Sequence, residues 1–367
     1  MFAPRFKLTP AIAKALMEIE ACRQAILRLP LTVPMLESLR KTARLLSTHF
    51  STQIEGNRLG PEQVEAVLQG GGGFPGRERD EAEVRNYYLA LDFVSASVSS
   101  RRLNEVVVRT IHGLVMHGRK KPTRYRDGQN VIRDGRTGRI VYLPPEAKDV
   151  AGLMKELIAW IEKEMRREEL PVPIIAAIAH CQFATIHPYY DGNGRTARLL
   201  TTLILHRGGY GLHGIYSLEE YYAKHLSGYY DALHIGTSHN YYLGRAKTDI
   251  TKFLAYFCRG MEDSFARIRA QAEEAERRNE PDQAAMLREL TAQQRKALSL
   301  FTNTSTITSR DAAGFFGISA RAGSALCLKW AEQGFVVIDD PSKKARRYRL
   351  APTFEAIVSA RTTKQAE

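Results

Sequence analysis

The chain has 367 residues, of which 44% are hydrophobic, 25% charged and 9% aromatic. These proportions predict a folded chain of two or three domains and exclude collagen, coiled coil and dominant disorder, and no apolar run reaches the roughly 18 residues of a membrane-spanning helix. The net charge is +13, from 53 Lys and Arg against 40 Asp and Glu, which favours an acidic partner: nucleic acid, nucleotide phosphates or an acidic protein surface.

Residues 1 to about 60 read as helical. Leu39, Ala43, Leu46, Phe50 and Ile54 recur at helical spacing as one buried stripe, which stops at Gly56-Asn57. Gln69 to Gly76 is a glycine-rich loop without the GK[ST] of a phosphate loop. Helical patterns resume at 80–98 and 103–116. Between Tyr125 and Pro145, two β-prone runs flank Asp134-Gly135-Arg136-Thr137-Gly138, a hairpin signal. Helices follow at 150–167, 173–186, 196–206 and 248–267. Residues 271–290 are polar and charged and read as a helical linker. Beyond them, helices at 291–302, 309–316 and 320–333 precede two strands that flank 339–344. Cys22, Cys181, Cys258 and Cys327 lie far apart with no CxxC pair. Together with an N-terminus that lacks the apolar stretch of a secretory signal, this predicts a reducing cytoplasm, no disulfide scaffold and no membrane contact.

The informative segment is Ile186-His187-Pro188-Tyr189-Tyr190-Asp191-Gly192-Asn193-Gly194-Arg195-Thr196-Ala197-Arg198. Pro188 ends one helix and a second begins near Arg195. A glycine turn that opens onto a helix N-terminus presents unpaired N–H donors and a positive dipole end, a cradle for an anion. Arg195 and Arg198, spaced i, i+3, add guanidinium groups suited to phosphate. Asp191 supplies the hard oxygen that Mg2+ prefers. The imidazole of His187, with an ordinary pKa of about 6.5, suits proton abstraction from a hydroxyl. Taken singly, each is an ordinary cap, turn or solvated face; together at this spacing they form a phosphate-transfer site.

HPYYDGNGRTAR resembles the signature of Fic-domain proteins, HPFx[DE]GNGRxxR, with Tyr189 where Phe is usual. Glu83 to Val94, the hairpin ending in YLPP, the run IAHCQFATIHP and Tyr229 to Leu233 are also similar to Fic-family segments, so the resemblance covers roughly residues 1–265. Ala184 stands where many relatives carry Glu. The resemblance implies a mainly α fold, a Fic helical bundle with a β-hairpin flap. It implies a protein adenylyltransferase that moves AMP from ATP to a Ser, Thr or Tyr hydroxyl of a target protein, the chain itself among the candidates. By that resemblance His187 is the general base and Asp191 holds Mg2+. Gly192, Asn193, Gly194, Arg195, Thr196 and Arg198 bind the nucleotide phosphates, and Tyr230 walls the adenine. The hairpin would dock the target in extended form.

Ser51-Thr52-Gln53-Ile54-Glu55-Gly56-Asn57 is similar to the inhibitory [ST]xxxE[GN] helix of many Fic proteins. A carboxylate from Glu55 brought to Arg198 takes the partner that the ATP γ-phosphate needs, with Ser51 one turn earlier on the same side. The wild-type chain is therefore expected to be mostly off, with the inhibitory helix at about 40–57. The C-terminal part resembles a winged helix-turn-helix in topology. Residues 291–367 hold 12 Lys and Arg against 6 Asp and Glu, five of the bases being Lys343, Lys344, Arg346, Arg347 and Arg349. Arg321 and Lys329 on the third helix would enter a major groove of duplex DNA. The expected division is an N-terminal helical region (1–110), the Fic core (111–265), a helical linker (266–290) and the winged helix (291–367). A second reading is a DNA-binding regulator whose nucleotide pocket is a sensor. A homodimer is left open.

Overall fold

A computed structural model describes residues 2–98, 102–133, 138–277, 287, 289–302, 304–340, 342 and 346–359. The expected hairpin tip at Asp134 to Thr137, most of the linker beyond Arg277, and Lys343 and Lys344 of the basic wing lie outside the described residues. The chain divides into two compact units, Met1–Arg23 with Lys41–Arg267 and Gln24–Arg40 with Ile268–Glu367.

The larger unit is helical because its sequence repeats with a helical period and carries the matching stops. Its elements are α1 (Pro10–Arg28) as far as Arg23, α2 (Val33–Ile54) from Lys41 on, α3 (Pro61–Leu68), α4 (Glu78–Ser97) and α5 (Glu105–His117). The hairpin strands β1 (Ile132–Arg133) and β2 (Ile140–Tyr142) follow. Then come α6 (Ala147–Arg167), α7 (Val172–Ile186), α8 (Asn193–Leu205), α9 (Glu219–Lys224), α10 (Leu226–Leu233) and α11 (Thr251–Arg277) as far as Arg267. α5 shows the local logic. Asn104 caps it by accepting from the Val107 N–H, and Gly118, left-handed, ends it. α7 is apolar on every side and correspondingly buried on every side, so it forms the centre of the bundle. α8 packs against α7, α4 and α5.

Two expectations shift here. α8 begins at Asn193, because Gly192 serves as its N-cap, and α11 runs ten residues beyond Arg267 into the expected linker. The stripe on α2 is also different. Ala43 and Ile54 are buried, but the innermost face is polar: Ser47, Thr48, Ser51 and Thr52 are all buried. The physical reason is the charge they meet, described below.

The smaller unit carries α12 (Ala292–Ala297), β3 (Thr306–Thr308), α13 (Ser309–Phe316), α14 (Ala320–Glu332), β4 (Val336–Asp340), β5 (Arg347–Leu350) and α15 (Pro352–Ser359). Its sheet is antiparallel in the order β3-β5-β4, one strand more than the sequence predicts. β3 is the short β-branched run Thr306-Ile307-Thr308, too brief for an alternation signal, and it earns its place by pairing with β5. Thr308, Ser319 and Thr291 cap the three helices that follow them. Trp330, Phe335, Tyr348 and Phe301 fill the core, and Val33 joins them. Arg295 donates to the carbonyls of Arg28 and Leu29, so residues expected in the N-terminal region belong to this unit.

Candidate active site

The site forms where α7 stops. Phe183 accepts the His187 N–H, His187 turns left-handed (φ 51°), and Pro188 diverts the chain. The turn from 187 to 194 is then stapled. Asn193 accepts the Tyr189 N–H at 3.0 Å and donates to the Tyr189 carbonyl at 2.8 Å, so its side chain is spent on the turn itself. Tyr189 is buried and stacks on His112 with ring centroids 3.5 Å apart. His112 in turn bonds Thr123 and the Asp191 carbonyl. Gly192 takes φ 73°, and a Cβ there would meet Met116 Sδ at 2.6 Å, so both backbone and space demand glycine.

One cavity of about 630 Å³ opens in front of this turn, lined by His187, Asn193, Gly194, Arg198, Glu55, Tyr230 and residues of the hairpin. The expected residues therefore separate into two groups. His187, Asn193, Gly194, Arg198 and Tyr230 share the cavity wall with Glu55. Gly192 caps α8 behind it. Thr196 is fully buried beneath, and Arg195 points the other way, 3.7 Å from Glu83 and 3.4 Å from Asp191. The i, i+3 spacing does not make the two arginines converge, because Glu83 captures one of them. Asp191 stands at the surface, its side chain 54% exposed, accepting the Gly192 N–H at 2.6 Å.

Arg198 is 1% exposed and held from α2. It donates to Ser51 Oγ, to the Ser51 carbonyl and to Glu55 Oε1, each at 2.8 Å. Burial opposes its charge, yet the Glu55 carboxylate beside it outweighs that and raises the guanidinium above the ordinary arginine range. Its Nη1 is buried with no hydrogen-bond partner among the described residues. A Cβ on Gly194 would meet Glu55 Oε1 at 2.2 Å, so the carboxylate rests on the first turn of α8, where an anion is favoured. Four residues before Ser51, Ser47 donates at 2.9 Å to the buried Glu219, which also accepts from Tyr87 and Ser217. The polar face of α2 thus satisfies two buried charges, which is why that face is not apolar.

Burial pushes the His187 imidazole down to about 4; the Ala184 carbonyl, Glu55 and Asp191 act upward, and Arg126 acts downward. At neutral pH the ring is uncharged and able to accept a proton. Tyr230 is half exposed on the wall, its hydroxyl 3.4 Å from the Ile54 carbonyl. Among the described residues no cluster of three or more His, Cys, Asp or Glu could hold a metal ion by itself. Asp191 alone offers a cation one exposed carboxylate, which suits an ion that brings phosphate oxygens with it.

Sequence reasoning missed Arg126. It is buried, and it donates to the carbonyls of His187 and Gly128, each at 3.0 Å, and to that of Pro145. No spacing signal marks it, since a single arginine before a hairpin usually faces water.

Residues 102–205 match the Fic/DOC family. The chain is 31% identical over 273 residues to a Caenorhabditis elegans protein named protein adenylyltransferase fic-1, a match that spans 68% of this chain and 52% of the relative. It is 29% identical over 204 residues to Drosophila willistoni protein adenylyltransferase Fic, covering 54% of this chain and 39% of that one. The chain thus spans about half the length, or less, of the curated relatives it matches. A crystal structure of a Fic family protein from Desulfovibrio desulfuricans G20 superposes with a TM-score of 0.60 and 26% identity over 96% of this chain and 99% of that one. Fic-1 (aa134–508) from C. elegans superposes with a TM-score of 0.58 at 25% identity, over 72% of this chain and 73% of that one. The fold, the HPYYDGNGRTAR turn and these likenesses agree: this chain carries a domain of the Fic/DOC family.

Proposed function

We propose that the chain is a protein adenylyltransferase, restrained by Glu55, that transfers AMP from ATP to a Ser, Thr or Tyr hydroxyl of a target protein. The observation that carries this reading is the shared cavity. It sets an uncharged His187 imidazole beside the N-terminal turn of α8, with the unpaired Nη1 of Arg198 across from it. In the reaction the target hydroxyl loses its proton to His187, its oxygen bonds to the α-phosphorus, and the bond to the β-phosphate breaks to release pyrophosphate. The first-turn N–H groups of α8 and the Arg198 guanidinium carry the phosphate charge. Tyr230 walls the base, and the β1–β2 hairpin aligns the target chain. Asp191 is the residue that would hold Mg2+. That ion would neutralise phosphate charge. Arg195, paired with Glu83 and Asp191, acts by orienting Asp191.

Glu55 is the restraint. Its carboxylate occupies the anion position on α8 and satisfies Arg198, so the γ-phosphate of ATP must displace it to be gripped in line. The test is intact-mass analysis after incubation with ATP and Mg2+. Glu55→Gly is expected to gain AMP, on itself or on an added target, faster than wild type, and Glu55→Gly/His187→Ala to gain none. Equal labelling in all three, or none in any across plausible targets, overturns the proposal. A cytoplasmic location goes with this reading, supported by four buried cysteines that are not joined by disulfides.

A winged-helix reading of the smaller unit, with duplex DNA as partner, is supported by its helix and strand order and by the exposed Arg310, Arg321 and Arg347. Arg349 is withdrawn from it by pairing with Asp339 and Glu355, each at 3.4 Å.

A further inference from the structure

Arg126 is 4% exposed, yet among the described residues no carboxylate lies within ion-pair distance of it. Its charge is met by main-chain carbonyls. Nε donates to His187 at 3.0 Å and Nη1 to Gly128 at 3.0 Å, while Nη2 donates to Pro145. Its own N–H donates to the Pro188 carbonyl at 2.9 Å. Gly128 precedes β1 and Pro145 follows β2, so one guanidinium spans both stems of the hairpin and the residue proposed as base. The neighbours reinforce this join. Tyr190 donates to Asp127 and accepts the Gly128 N–H, Asn130 donates to the Tyr189 carbonyl, and Tyr142 donates to the Thr185 carbonyl at the end of α7.

His187 sits in a left-handed conformation that a non-glycine residue holds only when its surroundings impose it. A ring that takes a proton must be placed to within about an ångström. From these contacts we infer that Arg126 is the positioning residue that locks both stems of the flap to the catalytic turn and fixes where the His187 ring stands. The planar fork of arginine is what allows three carbonyls to be reached at once; an ammonium on a flexible stem would reach one at a time.

The inference rests on the transferase reading for its catalytic consequence but not for its structural one, and the experiment keeps the two apart. In the full chain carrying Glu55→Gly, Arg126→Lys and Arg126→Gln are compared with their parent. Hydrogen exchange across 126–145 needs no activity and is expected to quicken in both, with ATP affinity unchanged. AMP incorporation is expected to fall about 10- to 100-fold through kcat rather than KM. The pH profile separates charge from shape. Arg126 is the cation facing His187, with Glu55 from α2 and Asp191 from the turn acting in the opposite sense. Arg126→Gln is therefore expected to move the acid limb of activity toward neutral pH, and Arg126→Lys to leave it in place. Unchanged exchange in the hairpin overturns the inference whether or not any variant labels, as does full labelling by both variants. Failure of Glu55→Gly itself to label counts against the transferase reading alone, and the exchange result still decides the role of Arg126.

Discussion

Two buried arginines hold this site, and they are held in opposite ways. Arg126 on the flap side is ringed by main-chain carbonyls, which cannot leave without unfolding the turn. Arg198 on the α2 side is held by Ser51 and by one side-chain carboxylate, Glu55, whose side chain is 28% exposed at the mouth of the cavity. The first arrangement is a fixture and the second is exchangeable. A phosphate has the charge and geometry to replace a carboxylate on a guanidinium, but nothing in the cavity replaces a carbonyl of the turn. The same residue type thus serves as scaffold on one wall and as a ligand-exchange point on the other, and its partners decide which.

The sharpest way to break this comparison is to remove the base that both walls serve. In the Glu55→Gly background, His187→Ala should lower AMP incorporation about 10²- to 10⁴-fold, read by radiolabel transfer. Next in size is the exchange itself. Glu55→Gly should strengthen ATP binding about 10- to 100-fold, because the charge-assisted bond it removes is worth roughly 1.5–3 kcal/mol; calorimetry measures this. Equal ATP affinity in wild type and variant would mean the carboxylate does not compete. A smaller effect is expected at Ser51. Ser51→Ala strips the Oγ acceptor from Arg198 Nε inside the core, and unfolding in urea should register about 1–3 kcal/mol of lost stability. The response to acid tests the packing around both walls rather than a single contact. Burial holds His112 and His206 down to about 4 and His180 down to about 3, each below the ordinary 6.5. The unfolded chain therefore binds more protons in that window. Stability should be complete above pH 6.5 and decline steadily as pH falls toward 4, visible as a falling thermal midpoint. A midpoint unmoved between those values would contradict the burial of these rings.

Much of the site was legible because its residues are contiguous. A proline, two glycines and an asparagine within eight positions dictate a turn into a helix whatever the rest of the chain does, and Glu55 meets Arg198 as the resemblance of 51–57 to an inhibitory helix implies. What stayed hidden depends on partners distant in sequence. The polar inner face of α2 reads as an ordinary helix surface until Glu219 and Arg198 are known to lie against it. The divergence of Arg195 from Arg198 is set by Glu83, more than a hundred residues away. Arg126 carries no periodicity at all, and β3 is three residues long and exists only by pairing with β5. The long helices of the bundle were legible because the helical period repeats along each one, whereas the short α3, α9, α10 and α15 carry too few turns to show it and α11 runs ten residues past its expected end.

The exchange of partners at Arg198 is tested most directly by a crystal structure of Glu55→Gly with ATP and Mg2+ bound. Expected is a phosphate of the nucleotide over Gly194 and on Arg198 Nη2, where the carboxylate of Glu55 rests in the wild type, with Nη1 gaining a partner as well. A nucleotide seated elsewhere, with Arg198 still bonded only to Ser51 and the first turn of α8 bare, would contradict it.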